Sequence, residues 1–200
     1  QIAADDGDGE LAEVLVFTPY YVPHAPGGAE VSLHMALRNC VEFGVPVEAH
    51  CFLDETGEKF RCRSRTIVDG VRVVRHQNCD EIRFADAARK ILSEKEPRAA
   101  LFQGDRVKQA AYDCASLDLK TRMSWFFRNM DEITRPNTYG VRMHKVLPKI
   151  HGPIFANSQF LADRVHEEYG RKCVVVLPSV SEDIRVKPDR RYLTCMAATE

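Results

Sequence analysis

Charge of one sign is scarce here: 28 Lys and Arg stand against 29 Asp and Glu, a net charge of −1. A nucleic-acid binder carries a basic surplus, so that class is set aside and no nucleic-acid partner is expected. No apolar run reaches the ~18 residues of a membrane span, and no signal-peptide pattern is present. The seven cysteines, Cys40, Cys51, Cys62, Cys79, Cys114, Cys173 and Cys195, include no C-x-x-C pair. Their odd count and wide spacing exclude a disulfide framework and a zinc site, and point to a reducing compartment. The seven histidines form no H-E-x-x-H pair, so no metal is expected. Ala25-Pro-Gly-Gly-Ala-Glu30 is not G-x-G-x-x-G, which sets aside a dinucleotide oxidoreductase.

What is present is ordinary for a globular chain: 200 residues, 44% hydrophobic and 28% charged. That length suits one domain, or one domain plus a piece of another. It can bury roughly 70% of its unfolded surface without staples. Residues 1–12 carry Asp5, Asp6, Asp8 and Glu10 and read as a flexible acidic tail. Arg61-Cys-Arg-Ser-Arg65 is locally basic; a solvated loop and a phosphate or lipid site are both open there.

The richest stretch is Val14-Leu-Val-Phe-Thr-Pro-Tyr-Tyr-Val-Pro-His-Ala-Pro-Gly-Gly-Ala-Glu30. It predicts a buried strand, a proline-punctuated loop and a Gly-Gly turn opening a helix. Such a helix start presents unpaired N–H groups and a positive dipole end, suited to a phosphate. Gly27 and Gly28 permit close approach, and Glu30 favours the first turn. The helix places Ala29, Leu33, Ala36, Leu37 and Cys40 on one face and stops at Gly44. Strands are expected at 45–52, 99–102, 123–127, 153–156 and 173–177. Asp69-Gly70 marks a hairpin over 66–74. Helices are expected at 84–95, 107–117, 141–147 and 159–169, the last capped by Ser158 and closed by Gly170. Alternating strands and helices predict an α/β, doubly wound, Rossmann-like parallel sheet over 13–185. Residues 186–191 read as a connector, and 192–196 as the first strand of a truncated second domain within 186–200.

Ligands of such sheets lie outside the carboxyl ends of the strands. Tyr20, Tyr21 and His24 therefore become candidates for stacking on an acceptor; equally, one Tyr can cap the core and His24 can be solvated. Asp105, in Gln103-Gly-Asp-Arg106, is a candidate for binding acceptor hydroxyls, or a helix N-cap. Arg128, Asn129 and Asp131 follow the next strand. Arg128 is a candidate acceptor contact, and Asn129 and Asp131 are candidate catalytic groups, with a local loop bond as the other reading of Asp131. Asn157 and Ser158 read mainly as structural.

These residues resemble the N-terminal half of a GT-B-fold retaining glycosyltransferase of family 4 (glycosyl transferases group 1). The match is carried by the Gly27-Gly28-Ala-Glu30 loop, Asp69-Gly70-Val71-Arg-Val73, Ile154-Phe-Ala-Asn-Ser158, and Val174-Val-Val-Leu-Pro-Ser-Val180. The resemblance implies an enzyme of carbohydrate biosynthesis that moves a hexose-type sugar from a nucleotide-sugar to a hydroxyl acceptor, with retention. The acceptor would be a sugar, a lipid-linked molecule or a small molecule. It further implies a C-terminal donor-binding domain missing from these residues, no cofactor beyond the donor as substrate, and a cytoplasmic location, with contact to a membrane surface left open. Gly27 and Gly28 match the positions that lie near the donor diphosphate. Many family members carry a His where this chain reads Arg128-Asn-Met-Asp131. The isolated 200-residue chain is expected to be inactive. Two rival readings are a non-catalytic flavodoxin-like binding or regulatory domain and a GT-B-fold sugar-nucleotide epimerase.

Overall fold

Among the described residues, the β-branched and aromatic runs enter one sheet. The computed structural model describes residues 2–4, 12–25, 27–54, 56–61 and 63–177. Its strands are β1 (Ile2–Ala4), β2 (Val14–Phe17), β3 (Val47–Cys51), β4 (Ser64–Val68), β5 (Val71–Arg75), β6 (Ala99–Gln103), β7 (Arg122–Phe127), β8 (Ile154–Ala156) and β9 (Cys173–Val175). The helices are α1 (Gly28–Glu42), α2 (Glu81–Lys95), α3 (Lys108–Cys114), α4 (Met130–Thr134), α5 (Met143–Val146) and α6 (Gln159–Tyr169). The sheet has nine strands in the order β1-β4-β5-β3-β2-β6-β7-β8-β9. From β5 to β9 the neighbours pair in parallel, while β4 and β1 add antiparallel at one edge. This is the expected doubly wound, Rossmann-like α/β fold.

Within 1–12, read above as a flexible tail, Ile2–Ala4 instead pair with Thr66–Val68. An edge strand offers unpaired backbone groups, and that template outweighs a polar composition. The connector at 186–191 and the strand at 192–196 lie outside the described residues.

Helix ends follow from local chemistry. Gly44, at φ +79°, ends α1 in a Schellman arrangement: its N–H reaches Val41 O at 2.9 Å, and Val45 N–H reaches Cys40 O at 2.9 Å. The Asp80 side chain caps α2 by accepting from Arg83 N–H at 2.9 Å, and that cap starts the helix earlier than periodicity predicts. Ser158 caps α6 at Leu161 N–H (3.3 Å), and Gly170 closes it at φ +64°. At the hairpin, Asp69 (φ 45°) and Gly70 (φ 84°) both take the left-handed conformation that a two-residue turn requires.

The two sheet faces are unequally covered. On one face α1 packs Leu33 and Leu37 onto Val16, Ala49 and Val73. On the other, α2 to α6 pack over Phe17, Phe102 and Trp125. Phe17 stacks on Phe102 at 5.0 Å and on His50 at 5.2 Å; each such ring stabilises the fold by about 1.5–3 kcal/mol. Among the described residues, α1 leaves Leu101, Phe126 and Phe155 on its side of the sheet lining an apolar hollow of ≈ 410 Å³. The described cysteines, Cys40, Cys51, Cys79, Cys114 and Cys173, are free thiols. No described helix is long and apolar enough to cross a membrane.

Candidate functional site

From β2 the chain turns through α1 to β3 on one side, and it returns through α2 to β6 on the other. The carboxyl ends of β2 and β6 therefore flank the topological switch point, where such sheets bind ligands. A polar relay joins the strand ends there. Arg128 Nη1–H donates to Gln103 Oε1 at 3.3 Å, and Gln103 Nε2–H donates to Thr18 Oγ1 at 3.1 Å. The Thr18 hydroxyl donates to Tyr20 O at 3.0 Å. Since arginine only donates, the Gln103 amide must turn its oxygen to Arg128.

Arg128 also packs its guanidinium 5.7 Å from the Phe126 ring centroid, a cation–π contact. Its carbonyl accepts from Asn157 Nδ2–H at 2.9 Å. Burial pulls its pKa down, while Glu30 and Glu132 favour the charge, and a guanidinium stays charged through such shifts. Its Nε is buried and has no partner. An orphaned donor on a buried cation is costly unless something binds there.

Opposite Arg128, Gly27 is the N-cap of α1 without a side-chain cap, so the amides of Gly28 and Ala29 have no intrahelical acceptor. The Glu30 carboxylate folds back to the space that a Cβ on Gly27 would take, while a Cβ on Gly28 would meet nothing within 4 Å. Between these elements lies a groove of ≈ 410 Å³ lined by Gly28, Ser32, Phe126, Arg128, Asn157 and Leu177, among others.

Of the residues read from sequence, Gly28 and Arg128 line this groove; Gly27 is the N-cap of α1 and Glu30 lies in its first turn. The others do not converge there. Tyr21 is a correction: it is fully buried on the α1 face, and its hydroxyl pairs with His34 Nδ1 at 3.0 Å. Tyr20 packs at the border of the opposite core. His24 is exposed and meets the Phe60 ring edge-on at 5.6 Å. The Asp105 carboxylate accepts from the adjacent Arg106 N–H at 2.9 Å. Asn129 caps α4 by accepting from Glu132 N–H at 3.1 Å, and Asp131 pairs with Arg135 at 3.1 Å on the exposed side of that helix. We expect Asn129→Ala to cost about 1 kcal/mol in unfolding free energy, the worth of a cap, and to leave ligand binding in place. Loss of binding at unchanged stability, by calorimetry and denaturant melts, would restore a direct role for Asn129.

The sequence reading missed Glu132. Its carboxylate is buried and accepts from Arg128 N–H (3.2 Å), Trp125 Nε1–H (3.2 Å) and Gly104 N–H (3.4 Å). Burial pushes its pKa up to about 7 against the opposing pull of these donors. One carboxyl thus fastens the loops after β6 and β7 beneath the groove. The available signal was Asn129-x-x-Glu132, a capping-box spacing.

No family model matches the sequence, and no curated protein sequence matches it. Solved structures do match by shape. The catalytic domain of starch synthase IV from Arabidopsis thaliana, bound to ADP and acarbose, superposes with a TM-score of 0.63 at 13% identity, covering 87% of this chain and 53% of that one. The α,α-trehalose 6-phosphate synthase from Burkholderia multivorans gives a TM-score of 0.46 at 11% identity, over 83% of this chain and 47% of that one. The chain therefore spans about half the length of these glycosyltransferases, and its fold is that of one Rossmann-like half of the GT-B architecture.

Proposed function

We propose that this chain is the acceptor-side half of a nucleotide-sugar-dependent retaining glycosyltransferase that passes a hexose-type sugar to a hydroxyl acceptor. The carrying observation is the groove at the switch point, where the open start of α1 at Gly28 faces Arg128 with its buried, unpartnered Nε. The Gly28 and Ala29 amides and the α1 dipole suit a diphosphate, and the Arg128 fork suits its oxygens. Ser32 and Asn157 supply neutral polar contacts in the same groove. In this reading a donor-binding half outside these residues closes over the groove. Rate then comes from holding the acceptor hydroxyl beside the anomeric carbon and from stabilising the departing diphosphate. ADP and acarbose in the starch synthase are a ligand pair of the same kind.

A second reading has its own observation. Among the described residues, the groove lining contains no carboxylate and no imidazole, and Asn129 and Asp131 serve α4 as its cap and an ion pair. This favours a non-catalytic domain that binds a nucleotide. Turnover of UDP-, GDP- and ADP-sugars, measured with the full-length gene product beside the 200-residue chain, separates the two. We expect turnover by the full-length protein alone. Binding without turnover by either selects the second reading, and absence of both binding and turnover overturns both.

A further inference from the structure

A second groove, of ≈ 390 Å³, opens where the start of β4 meets α2, and it shares no lining residue with the first. It lies on the helix-rich face of the sheet, away from α1. Arg63 and Arg65 form one wall. They stand two residues apart on extended backbone, so both side chains project to the same side. The other wall is a stripe of α2, Ala87, Lys90, Ile91 and Glu94, spaced i, i+3, i+4 and i+7 on one helix face.

The floor comes from the end of β5. The Gln77 side-chain Oε1 accepts from Arg63 N–H at 3.2 Å and ties that wall to the floor. His76 is 9% exposed, and its Nε2 lies 3.1 Å from His50 Nδ1. Behind His50, the Glu48 carboxylate sits 2.8 Å from His50 Nε2 and also takes Lys95 at 2.6 Å. Burial, then His50, then Arg63 pull the His76 pKa down to about 3, so its ring is neutral. The floor is thus rigid and buttressed from behind.

The charges of this groove are unbalanced. Lys90 has Glu94 at 3.8 Å. The Arg63 and Arg65 guanidinia have no ion pair or side-chain hydrogen bond among the described residues. Two like charges converge on one concavity, and an anion between them would remove their repulsion. Two planar forks on alternate positions of one extended segment match the oxygens of a phosphate group. The apolar side chains of Ala87 and Ile91 in the α2 wall exclude water from one side of such a contact and strengthen it.

We propose that this groove, formed by Arg63, Arg65 and Lys90 over His76, binds a phosphate group, carried either by a soluble molecule or by a lipid headgroup. Its place on the sheet makes it independent of the glycosyltransferase reading. The test uses the 200-residue chain with Arg128→Gln, so that the first groove does not contribute. Calorimetric titration with inorganic pyrophosphate gives the affinity, and flotation with phosphatidylcholine vesicles, with and without phosphatidylserine, gives lipid association. Adding Arg63→Gln and Arg65→Gln is expected to weaken one of these by about tenfold or more, the loss of charge-assisted hydrogen bonds. Loss of pyrophosphate binding alone assigns a soluble ligand, and loss of vesicle association assigns a headgroup. Both arginines are exposed, so the variants should keep the parent's circular dichroism and melting curve. Unchanged affinity for both probes, or no binding by the parent, overturns the proposal.

Discussion

Gly28→Trp is expected to leave the fold intact and to cut turnover by the full-length gene product at least about a hundredfold, the cost of displacing a reacting group by an ångström or so. The reason is steric and local. Gly28 has no need of a glycine backbone, since a Cβ there meets nothing within 4 Å and its φ is not positive. Substitution at such a position changes stability by about 0.5 kcal/mol at most. The space in front of it is the groove shared with Ser32, Arg128 and Asn157, and an indole fills it. Gly28→Ala and Gly28→Leu should lie between wild type and Gly28→Trp in order of volume. Gly27→Ala should be milder than Gly28→Leu, because only the flexible end of Glu30 must move aside. Steady-state kinetics with the productive nucleotide-sugar, beside thermal melts, decide the matter. Wild-type turnover in a folded Gly28→Trp protein would remove the groove from the donor path.

Glu132 should dominate the response of stability to substitution and to pH. Glu132→Ala strips the acceptor from the N–H groups of Gly104, Trp125 and Arg128. Buried donors left unmet cost about 1–3 kcal/mol each, so a loss of about 3 kcal/mol or more is expected in urea unfolding. The pH effect has a definite sign. The folded pKa, about 7, lies above the ordinary 4.5, so the native state holds the proton where the unfolded chain has released it. Stability from this group is complete below about pH 4.5 and is lost as pH rises to about 7. At about 1.4 kcal/mol per pH unit the fall totals about 3 kcal/mol. Glu132→Gln abolishes the titration and keeps the shape. The stability difference, wild type minus Glu132→Gln, should fall across that window and level off above it; a flat or rising difference would show that Glu132 does not titrate there. The subtraction matters because His76, whose pKa burial pulls from 6.5 down to about 3, has the opposite slope over much of the same window.

Much of this architecture is legible in the chain because its signals are local. Leu33 and Leu37 lie one helical turn apart and are buried together. Asp69-Gly70 allows a turn few other dipeptides allow, and Ser158 with Gly170 brackets α6 from both ends. The site is less legible. Gly28 and Arg128 were reachable, since a strand end and a helix start define where a ligand sits. Tyr21 was misplaced because position after a strand says where a loop begins and not where it folds. Here the loop turns back, burying Tyr21, Val22 and Ala25. Asn129 and Asp131 enter α4 as a cap and an ion pair, which the sequence could not show because α4, with five residues, is too short to reveal a period. Glu132, Gln103 and the His50–His76 contact depend on partners 25 or 26 residues away or on burial, which no spacing rule encodes.

The wall of the first groove has one further consequence. Val176 N–H is still held by Ala156 O at 2.8 Å, and Val176 and Leu177 line the groove with Gly28 and Arg128. The backbone therefore leaves the described fold beside the site itself. Anything joined at that exit is tethered there and meets the groove at an effective concentration in the millimolar range, on the order of that for short flexible linkers. A segment joined at this point that has affinity for the groove acts as a local competitor of a free ligand, and removing it should tighten the measured binding.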